Sequence, residues 1–165
     1  MFFALWPDEA ARAALYEQAL ALKADAGGRL TRAVKLHMTL VFLGDVARAR
    51  VAELERIAQA VATNAFAMRI ERTGYWSRQQ IVWAAPQVVP AALSQLVAAL
   101  EAGLRAAGFQ LEDRAWQPHI TLLRDARRSS LLPCGATDWP VNDFVLVESA
   151  RGDYRVIGRW YLAAI

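Results

Sequence analysis

The sequence has few of the residue types from which disulfide frameworks and metal sites are built. It contains one cysteine, Cys134, and two histidines. A single cysteine excludes an internal disulfide, and the absence of a C-x-x-C pair is compatible with a reducing compartment. We predict that Cys134, which lies between Pro133 and Gly135, has no chemical role.

Long apolar runs and targeting signals are also missing. No hydrophobic stretch is long enough to cross a bilayer. The apolar residues 1–6 are interrupted at Pro7 and no basic region precedes them, which argues against a signal peptide. We therefore expect a cytoplasmic protein with no membrane contact. Its 165 residues, 56% of them hydrophobic, are enough for one domain with a sizeable core.

Charge and metal-binding patterns give only weak constraints. The net charge of +3 suits a polyanionic partner but is too small to identify one, and nearly all of the 19 basic residues are arginines. Zinc sites usually need three or four His, Cys or carboxylate ligands, and the sequence has no H-E-x-x-H motif. It also has no glycine-rich phosphate loop. We expect neither a metal nor a cofactor.

The hydrophobic periodicity predicts strands that alternate with helices. Helices are predicted from Asp8 to about residue 25, over about 47–62, and after Pro90, with Gly108 just past the end of the last one. The predicted strands cover about 1–6, 36–43, 66–72, 81–85, 115–123, 144–149 and 154–162. The stretch 124–142, punctuated by proline and glycine, is predicted to be a loop.

Two similar motifs hold both histidines of the chain. Residues 37–40 read His-Met-Thr-Leu and residues 119–122 read His-Ile-Thr-Leu, each inside an apolar run that predicts a buried strand. Residues i and i+2 of a strand share a face, so each histidine is expected to lie beside its threonine. The motifs stand about half the chain length apart, which favours an internal duplication. The predicted fold is α+β: two antiparallel sheets related by a pseudo-two-fold axis face a central cleft, with helices on the outer faces.

Paired histidines suit displacement at phosphorus. A histidine near its usual pKa of about 6.5 can act as base or acid near neutral pH. One ring can take a proton from the attacking oxygen while the other protonates the leaving oxygen. The hydroxyls of Thr39 and Thr121 can donate to the non-bridging oxygens. Either motif alone is more often a structural histidine, but two copies favour a phosphodiester site with His37 and His119 as the acid–base pair.

The motifs resemble those of the 2H phosphoesterases, in particular the bacterial and archaeal RNA 2′,3′-cyclic phosphodiesterases, also called 2′-5′ RNA ligases. The resemblance covers nearly the whole chain, as one bilobal domain over 1–165. Its further landmarks are residues 2–5, 41–44, 81–83, 114–124, 146–149, Tyr154 and Trp160. It implies hydrolysis of a terminal 2′,3′-cyclic phosphate to a 2′-phosphomonoester in RNA processing, with His37 as proton donor and His119 as acceptor. The same machinery in reverse implies 2′-5′ ligation without ATP.

Other residues are expected to contact the substrate. The family's second motif includes an arginine, here Arg124, which reaches phosphate only if its strand ends or bulges first. Phe42, Tyr75 and Trp76 are candidates to stack on a base, although core packing is the more common role of such side chains. Nothing in the sequence suggests an obligate partner, so we expect a monomer that binds RNA ends.

Two departures and two alternatives remain open. Lys35 stands where the family often has asparagine, and residues 114–118 replace a tighter Arg-Pro pair. Both changes concern the mouth of the cleft. The same site would also suit a small cyclic nucleotide or ADP-ribose cyclic phosphate. A third interpretation is a nucleotide-binding module without turnover.

Overall fold

The computed structural model describes residues 1–127 and 135–164. The prediction for Cys134 therefore lies outside the described residues. The elements in chain order are β1 (Phe2–Leu5), α1 (Glu9–Ala26), β2 (Arg29–Leu30), β3 (Met38–Phe42), α2 (Val51–Gln59), β4 (Phe66–Trp76), β5 (Ile81–Pro86), α3 (Ala91–Ala106), β6 (Ile120–Arg124), β7 (Thr137–Val141), β8 (Asp143–Ala150) and β9 (Asp153–Tyr161). Short 3-10 helices cover Ala33–Lys35 and Arg48–Arg50.

The strands form two antiparallel halves that meet at the motif strands. Their order is β7-β4-β5-β6-β3-β1-β8-β9, and β2 pairs with β6. Between β3 and β6 a single pair, Met38 opposite Ile120, joins the halves. Each half has a motif strand at its inner edge, so the order reads symmetrically outward from this junction. The predicted α+β fold with antiparallel strands is confirmed, but the two predicted sheets are joined through this pair into one nine-stranded sheet.

The helices cover the sheets and fill the core with one face each. Helix α1 begins after Asp8, whose side chain accepts a hydrogen bond from the Ala11 amide at 2.8 Å, and it ends at Gly27 with φ of 64°. It contacts β6 and β7, whereas α3 contacts β3 and α2. Both helices bury regularly spaced alanine, leucine or valine side chains in one continuous core.

The prediction of a loop over 124–142 is wrong for its last part. Residues of β7 pair with β4 from Phe66↔Val141 to Ile70↔Thr137. The β7 side chains alternate between buried and exposed, with Trp139 only 2% exposed. Pro140 and the nearby glycine suggested a loop, but β7 is a terminal strand of the sheet, where a proline costs no ladder hydrogen bond.

Three other boundaries differ from prediction. Strand β4 continues through Trp76 instead of ending at 72, because its far end pairs with β5. Strand β6 begins at Ile120 instead of 115, and the residues before it form no regular element. Helix α2 covers only Val51–Gln59 and follows a 3-10 turn.

Candidate active site

Each motif strand has a β-bulge at the leucine that follows its threonine. In β3, Thr39 and Val41 lie opposite consecutive residues of β1, so Leu40 is the extra residue. In β6, Thr121 and Leu123 lie opposite consecutive residues of β5, so Leu122 is extra. Both strands consequently have two successive buried residues after the threonine and the same burial pattern overall.

The bulges determine which residue comes after the threonine on the histidine face of each strand. Strict alternation would turn residues 42 and 124 away from the histidines. With one extra residue in each strand, Phe42 and Arg124 instead line a cavity together with His37 and His119. The bulge that Arg124 was predicted to need is therefore present.

The paired motifs line one cavity of about 420 Å³. Thr39 lies on β3 and His37 immediately precedes that strand, whereas Thr121 lies on β6 and His119 immediately precedes it. Its other walls include Phe2, Leu30, Thr31, Tyr154 and the cations Arg29, Arg32 and Lys35. A second cavity of about 620 Å³ shares Thr39, Phe42, His119, Thr121 and Arg124 with the first. The two cavities thus form one groove with the motifs at its centre.

Both histidines are oriented by the same local hydrogen bond. The His37 Nδ1 donates to the Lys35 carbonyl oxygen at 2.6 Å, and the His119 Nδ1 donates to the Gln117 carbonyl oxygen at 2.8 Å. A carbonyl only accepts, so the hydrogen of each neutral ring is assigned to Nδ1. Nε2 of each ring is then the atom that can take up or deliver a proton.

Aromatic rings surround His37. Its ring stacks with Phe2 and Trp6 at centroid distances of 5.0 and 5.2 Å, and Tyr154 meets it edge-on at 5.4 Å. Burial lowers the pKa of His37 to about 4, and the positive charges of His119 and Arg124 add to this effect against the Lys35 hydrogen bond, which raises it. His37 is therefore neutral in the unliganded site at neutral pH.

His119 has a different setting. Burial is again the main cause that lowers its pKa, opposed by the Gln117 hydrogen bond and assisted by Arg114 and Arg124. Only Trp76 among the aromatic contacts of the described residues approaches it, edge-on at 4.6 Å. The two histidines are thus related in position and hydrogen bonding but not in their second neighbours.

The three aromatic candidates do not share a location. Phe42 lines both cavities and is 52% exposed, and Trp76 lines the larger one. Tyr75 lines neither: its hydroxyl donates to the Ala126 carbonyl oxygen at 3.0 Å and its ring packs against the core. Since neighbouring residues of a strand point to opposite faces, Tyr75 and Trp76 cannot both face the groove.

Trp116 is a site residue that the sequence pattern does not predict. Its indole Nε1 donates to the Thr39 carbonyl oxygen at 3.0 Å, and the ring lines the larger cavity. Residues 114–118 have no periodic pattern, so only the closeness of Trp116 to His119 in the chain pointed to it. Trp6 and Phe2 were likewise assigned to a strand and not to the surroundings of His37.

Within residues 1–127 and 135–164, no three His, Cys, Asp or Glu side chains are grouped so that they could hold a metal ion. No helix in the same ranges has the length and apolar character needed to cross a membrane.

Comparisons with known proteins agree with the duplicated geometry. The model of the LigT like phosphoesterase family matches the chain twice, over residues 5–83 and 84–157. An RNA 2′,3′-cyclic phosphodiesterase of Escherichia coli (strain K12) is 34% identical over 141 residues, which are 82% of this chain and 80% of that protein. Another from Thermus thermophilus is 29% identical over 163 residues, covering 90% and 81% of the two chains. The crystal structure of E. coli LigT complexed with 3′-AMP superimposes with a TM-score of 0.84 at 32% identity, covering 98% of this chain and 96% of that one. The chain therefore belongs to the LigT like phosphoesterases, enzymes of the 2H phosphoesterase group.

Proposed function

We propose that this enzyme hydrolyses the 2′,3′-cyclic phosphodiester at the end of an RNA and leaves a 2′-phosphomonoester. The observation that carries the proposal is the meeting of both His-x-Thr motifs and Arg124 in one cavity. Relatives that match most of the chain are RNA 2′,3′-cyclic phosphodiesterases. The cavity offers what an in-line displacement at phosphorus requires: a base, an acid and donors for the non-bridging oxygens.

The reaction exchanges one P–O bond for another. Nε2 of His119 takes a proton from water as the water oxygen attacks phosphorus. The bond from phosphorus to the 3′-oxygen breaks, and Nε2 of His37 delivers a proton to that oxygen. The hydroxyls of Thr39 and Thr121 and the guanidinium of Arg124 stabilise the negative charge on the non-bridging oxygens.

His37 must take up a proton from solvent when the substrate binds. With a pKa of about 4 in the unliganded site, the ring is neutral before the substrate arrives. An anionic phosphate beside it favours the imidazolium and raises its pKa in the complex. The rings of Phe2 and Trp6 also favour the cation, because a positive charge over an aromatic face is stabilised by about 0.5–2 kcal/mol.

Ligation uses the same groups. If the 5′-hydroxyl of a second RNA attacks the cyclic phosphate in place of water, a 2′-5′ linkage forms as the bond from phosphorus to the 3′-oxygen breaks. The reverse of this step cleaves a 2′-5′ linkage. No nucleoside triphosphate is required, because the strained cyclic ester already activates the phosphorus. Ligation is thus the second part of the proposal.

The test is hydrolysis of an oligoribonucleotide with a 2′,3′-cyclic phosphate end, in EDTA, with identification of the monoester formed. We expect a 2′-phosphate product, and a rate lower by about 10²-fold or more in His37→Ala and in His119→Ala. Tyr75→Phe is the control, because Tyr75 lies outside both cavities. A 3′-phosphate product, or full activity in either histidine variant, would contradict the mechanism.

A further inference from the structure

The two arms of the groove differ sharply in chemistry. The smaller arm is lined by Arg29, Arg32 and Lys35, and no carboxylate is among its described lining residues. The larger arm is lined by two carboxylates, Glu101 and Glu112, whose charges are balanced by Arg114 and Arg124, and by the aromatic side chains Phe42, Trp76 and Trp116. The smaller arm therefore attracts anions more strongly, whereas the larger arm has no net charge among its described lining residues and offers wide aromatic surfaces.

The cations of the smaller arm come from one short segment. Arg29 lies on β2, and Arg32 and Lys35 flank or end the 3-10 helix that leads to His37. Arg29 pairs with Asp125 at 2.6 Å, and the Lys35 ammonium lies 3.5 Å from the Asp153 carboxylate. The ammonium also donates to the Gly152 carbonyl oxygen and stands 5.2 Å from the centre of the Tyr154 ring. These contacts fix Lys35 at the wall of the arm.

Arg32 is the cation with the most freedom to meet a ligand. It is exposed, and no hydrogen bond or ion pair to its side chain is found among the described residues. On the same wall, the Thr31 hydroxyl is buried and has no hydrogen-bond partner in the described part of the chain. A buried hydroxyl without a partner is unusual, and it leaves this wall of the arm with an unsatisfied polar group.

The covalent structure of an RNA end matches the two arms. With the cyclic phosphate at the histidines, the terminal ribose projects its base from C1′ and its 5′-oxygen from C5′, in different directions. Aromatic side chains hold unpaired bases by stacking, and arginine forks hold phosphate oxygens. The base therefore fits the larger arm, and the phosphate attached to the 5′-oxygen fits the smaller arm.

We propose that Arg29, Arg32 and Lys35 form a subsite for the phosphate on the 5′ side of the terminal nucleotide. The subsite makes the enzyme prefer an RNA end, or a nucleotide that carries a 5′-phosphate, over a nucleoside cyclic phosphate of the same base. This inference rests on the proposed function for the position of the cyclic phosphate. It also explains why Lys35, which departs from the family pattern, stands at the mouth of the cleft.

The binding test compares two ligands that differ by one phosphate. We expect adenosine 3′,5′-bisphosphate to bind the wild type about tenfold more tightly than 3′-AMP in titration calorimetry, as one charge-assisted contact predicts. In Arg32→Ala this ratio should fall to about threefold or less. Arg56→Ala is the matched control, since Arg56 is an exposed arginine on α2 that lines neither arm. A wild-type ratio near one, or an unchanged ratio in Arg32→Ala, would overturn the subsite.

A kinetic test separates the two proposals. Adenosine 2′,3′-cyclic phosphate and its 5′-phosphorylated form are compared by kcat/KM in the wild type and in Arg32→Ala. A preference of about tenfold for the 5′-phosphorylated form that Arg32→Ala reduces supports the subsite, and equal values in the wild type contradict it. If neither compound nor an oligonucleotide is hydrolysed, the proposed function fails, while the affinity ratio still decides the subsite.

Discussion

Burial is the main influence on both histidines, and it affects the pH dependence of catalysis. In the unliganded site the pKa of His37 is lowered to about 4 and that of His119 is also lowered from its usual value. The proposed mechanism needs one ring protonated and the other neutral, so we expect kcat/KM to follow a bell defined by the two free-enzyme pKa values.

We expect this bell to have its maximum below about pH 6.5, the unperturbed pKa of histidine. Above the maximum, kcat/KM should fall as the essential acid loses its proton, by about tenfold per pH unit. The measurement is kcat/KM for a cyclic-phosphate oligonucleotide between pH 4 and 9. A maximum above pH 7 would show that the rings are not desolvated as the structure indicates.

Trp6 offers a second prediction at the scale of one residue. Its indole lies nearly parallel to the His37 ring, with an angle of 10° between the planes. Trp6→Leu removes this aromatic face and should lower the pKa of His37 in the phosphate-bound enzyme, because the imidazolium loses a cation–π contact of about 0.5–1 kcal/mol. The other groups that act on this ring are Phe2, Tyr154, Lys35, His119 and Arg124, and they stay unchanged.

The measurement is an NMR titration of the imidazole in inorganic phosphate, with the basic limb of the kcat profile beside it. Both should shift to lower pH by about half a unit in Trp6→Leu. Trp6→Phe keeps an aromatic face, so the pKa of His37 in this variant should lie close to that of the wild type. Identical titrations in the wild type and Trp6→Leu would mean that Trp6 only fills space.

At the scale of elements, the alternation of side chains predicted which strand faces line the candidate site but not the full extent of these faces. The rule that residues i and i+2 of a strand share a face correctly placed each histidine beside its threonine in the cavity. The positions of Phe42 and Arg124 depend on the bulges at Leu40 and Leu122, which a strictly alternating strand does not reveal. The sequence pattern that accompanies each bulge is a pair of consecutive apolar residues after the threonine: leucine and valine in β3, and two leucines in β6.

Local patterns also miss contacts made between distant segments. The bond from Trp116 to Thr39 joins residues 77 positions apart, and strand β7 is stabilised by pairing with β4 despite its proline. The split between Tyr75 and Trp76 required knowledge that β4 continues to Trp76. These features depend on the whole fold. The sequence alone therefore predicted the candidate residues of the site but not the contacts that bound it.

Gly74 supports the site through the packing of strands β4 and β5. A β-carbon at Gly74 would lie 1.9 Å from the Trp83 ring. Trp83 is 5.6 Å from Trp76, which in turn lies 4.6 Å from His119. Gly74→Ala must therefore displace Trp83, which belongs to a series of ring contacts that ends at His119, the proposed general base.

We expect Gly74→Ala to reduce the free energy of unfolding by about 1–3 kcal/mol, as overpacking does, and to lower kcat. Urea unfolding and steady-state kinetics measure the two effects. Gly135→Ala is the control, because no atom of residues 1–127 or 136–164 lies within 4 Å of its ideal β-carbon. Wild-type stability in Gly74→Ala would mean that Trp83 has room to move.

At the scale of the molecule, the duplication in sequence does not coincide with the two halves in space. The family model matches residues 5–83 and 84–157 separately. In the structure, β1, which leads into the first match, pairs with β8 from the second, and β4 from the first pairs with β7 from the second. Helix α1 crosses to contact β6 and β7, and α3 crosses to contact β3.

This exchange of elements predicts that neither half folds alone. A fragment of residues 1–88 retains β1, whose four residues are all buried, but lacks β8, and it retains α1 without the strands that cover its apolar face. We expect the fragment to give poorly dispersed amide NMR signals and no cyclic phosphodiesterase activity, because the apolar surface it leaves exposed outweighs what it can bury. The full chain should unfold in one transition that is the same by far-ultraviolet and near-ultraviolet circular dichroism.

Co-expression of 1–88 with 89–165 should restore the activity, since the two motifs then meet again in one cavity. A well-dispersed spectrum from 1–88 alone would show that the first repeat is an independent folding unit and that the crossing helices add stability without being needed for folding.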